Sequence, residues 1–189
     1  MSETPLSETP LTVLGLVASP QGSARTALAV GAVLDGAREA GATTTQLALV
    51  EHEQADVLQA MAEADAVVFG SPVYRATYSS LLKQLLEVTQ RGMYGEASAP
   101  LRGTAAAVVL TGATAHHYLA VDSLRSVLSG FFAAQVLSPG LYLDHSGYVD
   151  GGSLADPTRE LAGTHGRALV ELAAAVRSSS VLRTLQPQF

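Results

Sequence analysis

Residues able to hold an anion crowd into one short stretch of this chain. Thr12-Val-Leu-Gly-Leu-Val-Ala-Ser-Pro-Gln-Gly-Ser-Ala-Arg-Thr26 opens on an apolar run, crosses a polar loop and enters a helix-periodic segment near Ala24. The run reads as a buried strand, so the loop delivers Ser19, Ser23, Arg25 and Thr26 to a helix N-terminus. Unpaired N–H groups and the helix dipole favour negative charge there, and the hydroxyls add donors. Arg25 contributes a permanently charged fork suited to phosphate. The pattern is neither a Walker A loop nor Gly-x-Gly-x-x-Gly, so a capped helix with a solvated arginine stays open beside the phosphate reading.

Two more segments follow apolar runs in the same way. Gly70-Ser-Pro-Val-Tyr-Arg-Ala-Thr-Tyr78 offers backbone N–H groups and aromatic faces, which suit a flat ring. Thr111-Gly-Ala-Thr-Ala-His-His-Tyr118 offers small residues that let the backbone approach a ring edge. Either one alone is an ordinary turn. Three such loops at three successive strand ends favour a planar, phosphorylated cofactor.

The elements that must position these loops alternate along the chain. Strands are predicted over Thr12–Val17, Thr44–Val50, Ala66–Phe69 and Thr104–Leu110, with a fifth inside Gln135–Leu143. Gly70-Ser-Pro72 is expected to end the third. Helices are predicted over Ala24–Ala40, Ala55–Ala64, Ser79–Gln90, His117–Ala133 and Pro157–Arg177. The inward stripe of the fourth helix reads Ala120, Leu124, Val127, Leu128 and Phe131. Alternating strands and helices imply an α/β doubly wound parallel sheet, with ligands bound outside the carboxyl ends of its strands.

Composition narrows the class. With 189 residues and 48% apolar residues the chain can build one sizeable core. Residues 1–11 repeat Ser-Glu-Thr-Pro-Leu and are expected as a disordered tail, leaving 12–189 as a single domain. No apolar run reaches the roughly 20 residues needed to span a bilayer, so no membrane role is expected. No secretory pattern is seen and cysteine is absent, so a cytoplasmic location is expected. A net charge of -6 argues against nucleic acid as a partner.

Ser19-Pro20 with Arg25, Ser71-Pro-Val-Tyr-Arg-Ala-Thr-Tyr-Ser79 followed by Leu82-Lys83, and Ala115-His116 with Ala120-Val-Asp122 resemble the NAD(P)H-dependent FMN reductases. The closest branch is that of the flavin reductases of two-component monooxygenases, such as the alkanesulfonate system. The resemblance runs from about Thr12 to about Gly151. It implies a flavodoxin-like three-layer sandwich: a five-stranded parallel sheet of order 2-1-3-4-5 with helices on both faces. It also implies FMN held at the three loops and hydride delivered to it from NADH or NADPH. Carried over by position, Ser19, Ser23, Arg25 and Thr26 would hold the phosphate. Pro72, Val73, Tyr74 and Arg75 would line the isoalloxazine and ribityl chain, and Thr111, Gly112 and Ala113 the ring edge. The resemblance further implies a flavin-dependent monooxygenase as partner and a homo-oligomer, a dimer or tetramer. The other readings are an FMN-retaining quinone, azo-dye or metal-ion reductase and a non-enzymatic electron carrier.

One departure matters. The alkanesulfonate-type enzyme has an extra tyrosine after Ala-Val-Asp that makes a π-bulge, whereas here Ser123-Leu124 follows Asp122. The extra residue falls instead in His116-His-Tyr118, so a bulge is expected there and His116 is counted with the cofactor loop. No catalytic side chain is assigned, because the flavin carries the redox chemistry. A metal site is not expected, since cysteine and a helical His-x-x-x-His pair are both missing. Asp144-His145-Ser146 spells a triad in order, but triads assemble from separate elements. Asp144, His145 and Tyr148 read instead as a loop at the mouth of the crevice.

Overall fold

The computed structural model describes residues 9–20, 24–149 and 152–187. Its centre is a parallel sheet of β1 (Thr12–Val17), β2 (Thr43–Ala48), β3 (Ala66–Tyr74) and β5 (Ala105–Thr111). The short strands β4 (Thr77–Tyr78), β6 (Gln135–Val136) and β7 (Leu141–Leu143) complete it. The order is β2-β1-β3-β5-β6, with β7 also on β5 and β4 antiparallel to β3. The parallel doubly wound architecture matches expectation, but among the described residues the sheet has seven strands in the order 2-1-3-5-6, not five in the order 2-1-3-4-5.

Two physical reasons account for the difference. The segment expected to hold one fifth strand is broken by Leu137–Gly140, so β6 and β7 pair separately with β5. Gly70-Ser-Pro72 does not stop the third strand. Pro72 is the last residue in ladder register with β5, opposite Thr111, and β3 then continues into a hairpin with β4. Proline therefore ends the parallel ladder without ending the extended chain, as its missing N–H permits.

Side chains of β1, β3 and β5 alternate between the two faces. One face carries Val13, Val68 and Val109 under α1 (Ala24–Glu39) and α5 (Asp156–Ser178). The other carries Leu14, Leu16, Val67, Phe69 and Leu110 under α2 (Gln54–Glu63), α3 (Ser80–Val88) and α4 (Ala120–Ser126). A short α6 (Ser180–Thr184) follows α5. Glycines let α1 sit close to its neighbours. A Cβ at Gly36 would overlap the Gly163 carbonyl, and one at Gly166 the Val33 carbonyl. Residues 1–8 of the expected tail lie outside the described residues. Leu11, counted with that tail, is buried, and its carbonyl accepts the Thr43 N–H at 2.8 Å.

The predicted helix His117–Ala133 resolves into three pieces. Ala115–His117 is a 3-10 turn, α4 follows, and Val127–Phe131 is a π-helical turn. The bulge thus lies at the far end of this helix and not at His116–Tyr118. The wider turn also changes which phenylalanine faces inward. Phe132 is buried at 1% exposure while Phe131, expected in the core stripe, is 47% exposed.

Candidate functional site

Parallel register fixes where the three polar loops meet. Val17 pairs with Gly70 and Pro72 with Thr111, so β1, β3 and β5 end side by side. The Ala18 N–H donates to the Gly70 carbonyl at 2.8 Å. A Cβ at Gly70 would overlap Val30 of α1, which is why the strand needs glycine there. Two fully buried serines then tie the loops together. Ser79 Oγ donates to the Ala18 carbonyl at 2.6 Å and accepts the Leu82 N–H at 3.2 Å, capping α3. Ser71 Oγ donates to the Pro72 carbonyl at 2.9 Å and accepts the Ser79 N–H at 2.8 Å.

The first turn of α1 carries Arg25 and Thr26. Thr26 is fully buried, and its hydroxyl lies 2.8 Å from that of Thr111. This bond joins the first loop to the third. Arg25 donates to His145 Nδ1 at 2.9 Å, and its guanidinium lies 5.2 Å from the Tyr148 ring centroid. The Tyr148 hydroxyl donates to the Arg25 carbonyl at 3.0 Å. Burial pushes the Tyr148 hydroxyl up to about 12, against the opposing pull of Arg25, so it stays protonated as a donor at neutral pH. Asp144 builds the turn that presents His145. Its carboxylate accepts from the Ser146 N–H at 2.9 Å and hydroxyl at 2.7 Å, which holds its pKa below the usual carboxylate value.

This arrangement fits an anion. The first turn of α1 has no acidic residue, and among the described residues no carboxylate pairs with Arg25. A cation is therefore added to the positive end of a helix dipole, an unfavourable pairing that a bound phosphate would reverse.

The second loop is a tight hairpin. Arg75 and Ala76 form its two-residue turn with φ of 52° and 65°. Such turns need positive φ at both central positions and usually take Asn-Gly. Neither residue suits that conformation, and strain of this kind gathers at ligand sites. Tyr74 is 44% exposed beside the turn, Val73 is half-buried and Pro72 is buried. In the third loop the Gly112 N–H donates to the Leu143 carbonyl at 2.8 Å, so it is already engaged. The Tyr142 hydroxyl donates to the Thr114 carbonyl at 2.6 Å and lies where a Gly112 Cβ would be.

The structure therefore joins Thr26 to Thr111, aligns Pro72 with Thr111 and gathers Arg25 with His145 and Tyr148. Ser19, one residue past the Ala18 that bonds Gly70, is buried at 1% exposure, and Ala113 is exposed. Ser23 lies outside the described residues. His116 is exposed, and among the described residues no side-chain hydrogen bond or ion pair joins it to the other loops. Tyr142 was not singled out from sequence; its only signal is a tyrosine in a short apolar strand. No group of three His, Asp or Glu side chains able to hold a metal occurs among the described residues.

Comparison with known proteins shows the family. The model of the NADPH-dependent FMN reductase family matches residues 11–148. The chain belongs to that family. Among its relatives, the NADH-dependent FMN reductase SfnF of Pseudomonas putida is 38% identical over 85 residues, 45% of this chain and 42% of that protein. The FMN reductase (NADPH) of Escherichia coli K12 is 38% identical over 90 residues, 47% of this chain and 42% of that protein. These matches thus span less than half the length of either relative. The SfnF of Pseudomonas fluorescens is 29% identical over 150 residues, 74% of this chain and 76% of that protein. Two solved structures share the flavodoxin-like fold. An NADH:FMN oxidoreductase in its apo form has a TM-score of 0.73 at 17% identity, covering 93% of this chain and 95% of that one. An archaeal flavodoxin has a TM-score of 0.67 at 14% identity, covering 87% and 99%.

The Thr26–Thr111 bond is testable without ligand. Thr26→Val or Thr111→Val alone leaves a buried hydroxyl unpaired and should cost about 1–3 kcal/mol in urea unfolding of the flavin-free protein. The double variant should cost clearly less than the sum of the two. Strictly additive losses would show that the two hydroxyls are not partners.

Proposed function

We propose that the chain is an NAD(P)H-dependent FMN reductase that transfers a hydride from a reduced nicotinamide to FMN. The observation that carries this reading is Arg25 at an acid-free helix N-terminus whose next residue, Thr26, bonds Thr111 at the end of β5, in a chain of the FMN reductase family. Bound FMN would supply the redox chemistry, and the protein binds and orients. Arg25 and the N–H groups of α1 would hold the phosphate, with Ser19, Ser23 and Thr26 around it. Pro72, Val73, Tyr74 and Arg75 would line the isoalloxazine and ribityl chain. Thr111, Gly112 and Ala113 would border the ring edge, with His116 at the mouth. Because the Gly112 N–H is engaged by Leu143, the Ala113 N–H is the better donor toward the ring. No side chain is required as acid, base or nucleophile.

We further propose that the product, reduced FMN, is handed to a separate flavin-dependent monooxygenase, on the likeness of the Ser71–Ser79 block to reductases of two-component systems. A homo-oligomer is proposed on the same likeness and on the exposed apolar residues Tyr118, Leu119 and Phe131, which flank and follow α4. Arg91 stacks on the Phe131 ring at 3.9 Å, beside a groove of about 370 Å³ between α3 and the π-turn. Such a patch suits a second copy of the chain.

Three measurements test these readings. The purified chain should oxidise NADH or NADPH only when FMN is supplied, and desalting should strip the flavin if it is a substrate passed onward. Nicotinamide oxidation independent of flavin would overturn the reductase reading, and flavin retained through desalting would overturn its release to a partner. Light scattering at micromolar concentration should give a multiple of 19.5 kDa. A monomer mass would remove the oligomer.

A further inference from the structure

Arg25 is gripped at both ends by one distant segment. His145 takes its guanidinium, the Tyr148 ring lies under that guanidinium, and the Tyr148 hydroxyl takes its carbonyl. The partners lie 120 and 123 residues further along the chain. We propose that His145 and Tyr148 are positioning residues for Arg25, so that the Asp144–Tyr148 segment sets the affinity of the first loop for the phosphate of FMN. The proposal rests on the phosphate role given to Arg25 above.

The geometry supports positioning in three ways. First, an arginine has many rotamers, and an exposed one at a helix end loses that freedom when it meets a ligand. Contacts that fix it beforehand remove this cost from binding. Second, the clamp is itself anchored. The Asp144 carboxylate holds the turn through Ser146, the Tyr148 N–H donates to the His145 carbonyl at 3.2 Å, and Tyr148 bridges to buried Leu154. Third, the Arg25–His145 bond has one allowed protonation pattern. Arginine can only donate, so His145 Nδ1 must accept and the imidazole is neutral with its proton on Nε2. A neutral partner orients the guanidinium without cancelling its charge, whereas a carboxylate there would compete with phosphate.

The test is a double-mutant cycle read by flavin titration, with FMN and riboflavin as the two probes. Arg25→Ala should weaken FMN and spare riboflavin. His145→Ala and Tyr148→Ala should each weaken FMN about threefold to tenfold, within the range of measured pair couplings, and also spare riboflavin. Neither should weaken FMN further once Arg25 is alanine. His145→Asn, which keeps an acceptor near Nδ1, should restore most of the loss. If Tyr148→Ala does not fold, Tyr148→Phe, which deletes only the bond to the Arg25 carbonyl, takes its place. Wild-type FMN affinity in the His145 and Tyr148 variants, with Arg25→Ala still selective for FMN, overturns this proposal alone. Losses that add to that of Arg25→Ala overturn it too, since His145 would then touch the phosphate directly. Equal losses for both flavins in the His145 and Tyr148 variants would mark the segment as merely structural. Arg25→Ala without selectivity overturns the phosphate reading itself, and this one with it.

Discussion

The ladder through β1, β3 and β5 is the constraint on which the candidate site depends. Because all three strands run parallel and in register, the chain beyond Val17, Pro72 and Thr111 emerges at one end of the sheet. Antiparallel pairing or a shift of register would scatter the same loops. The rest of the fold holds that edge in shape. Gly36 and Gly166 bring α1 and α5 into backbone contact, and Gly70 admits Val30 against β3, so the first turn of α1 is carried to the strand ends. Buried hydroxyls do the local joining: Ser79 to the Ala18 carbonyl, Ser71 to the Ser79 N–H, Thr26 to Thr111. The Ser79–Ala18 and Thr26–Thr111 bonds span elements far apart in sequence, and all three are shielded from water, where an unmet partner is costly.

Electrostatics set the character of the first loop. The chain is acidic overall, at -6, yet the first turn of α1 carries a guanidinium and no carboxylate. The neighbours of Arg25 are a neutral imidazole nitrogen and a phenol ring. A guanidinium at a helix N-terminus with no carboxylate beside it is an arrangement that favours an anion.

The parts legible in the sequence were those with an unambiguous local signal. Apolar runs of strand length gave β1, β3 and β5, and the polar residues after them gave the three loops. The unread parts depend on contacts that no local pattern encodes. Arg75-Ala76 carries none of the usual marks of a two-residue hairpin turn, so the extension of β3 and its pairing with β4 went unseen. The fifth strand was found but not its break, because β6 and β7 are each too short to show a period. Helical spacing put Phe131 in the core, but the π-turn adds a residue to the cycle and Phe132 takes that place. Arg25 was identified by type and position. What fixes it, His145 and Tyr148, was visible only as a loop near the crevice, since a separation of 120 residues is closed by topology alone.

The central claim is that the three loops form one flavin site with its phosphate end at Arg25. A crystal structure of the protein grown with FMN tests this most directly. The account predicts phosphate oxygens within hydrogen-bonding distance of Arg25 and the first N–H groups of α1, with the ring system against Tyr74 and Ala113. A phosphate located away from Arg25, or a flavin seated in the groove beside Phe131, would contradict it.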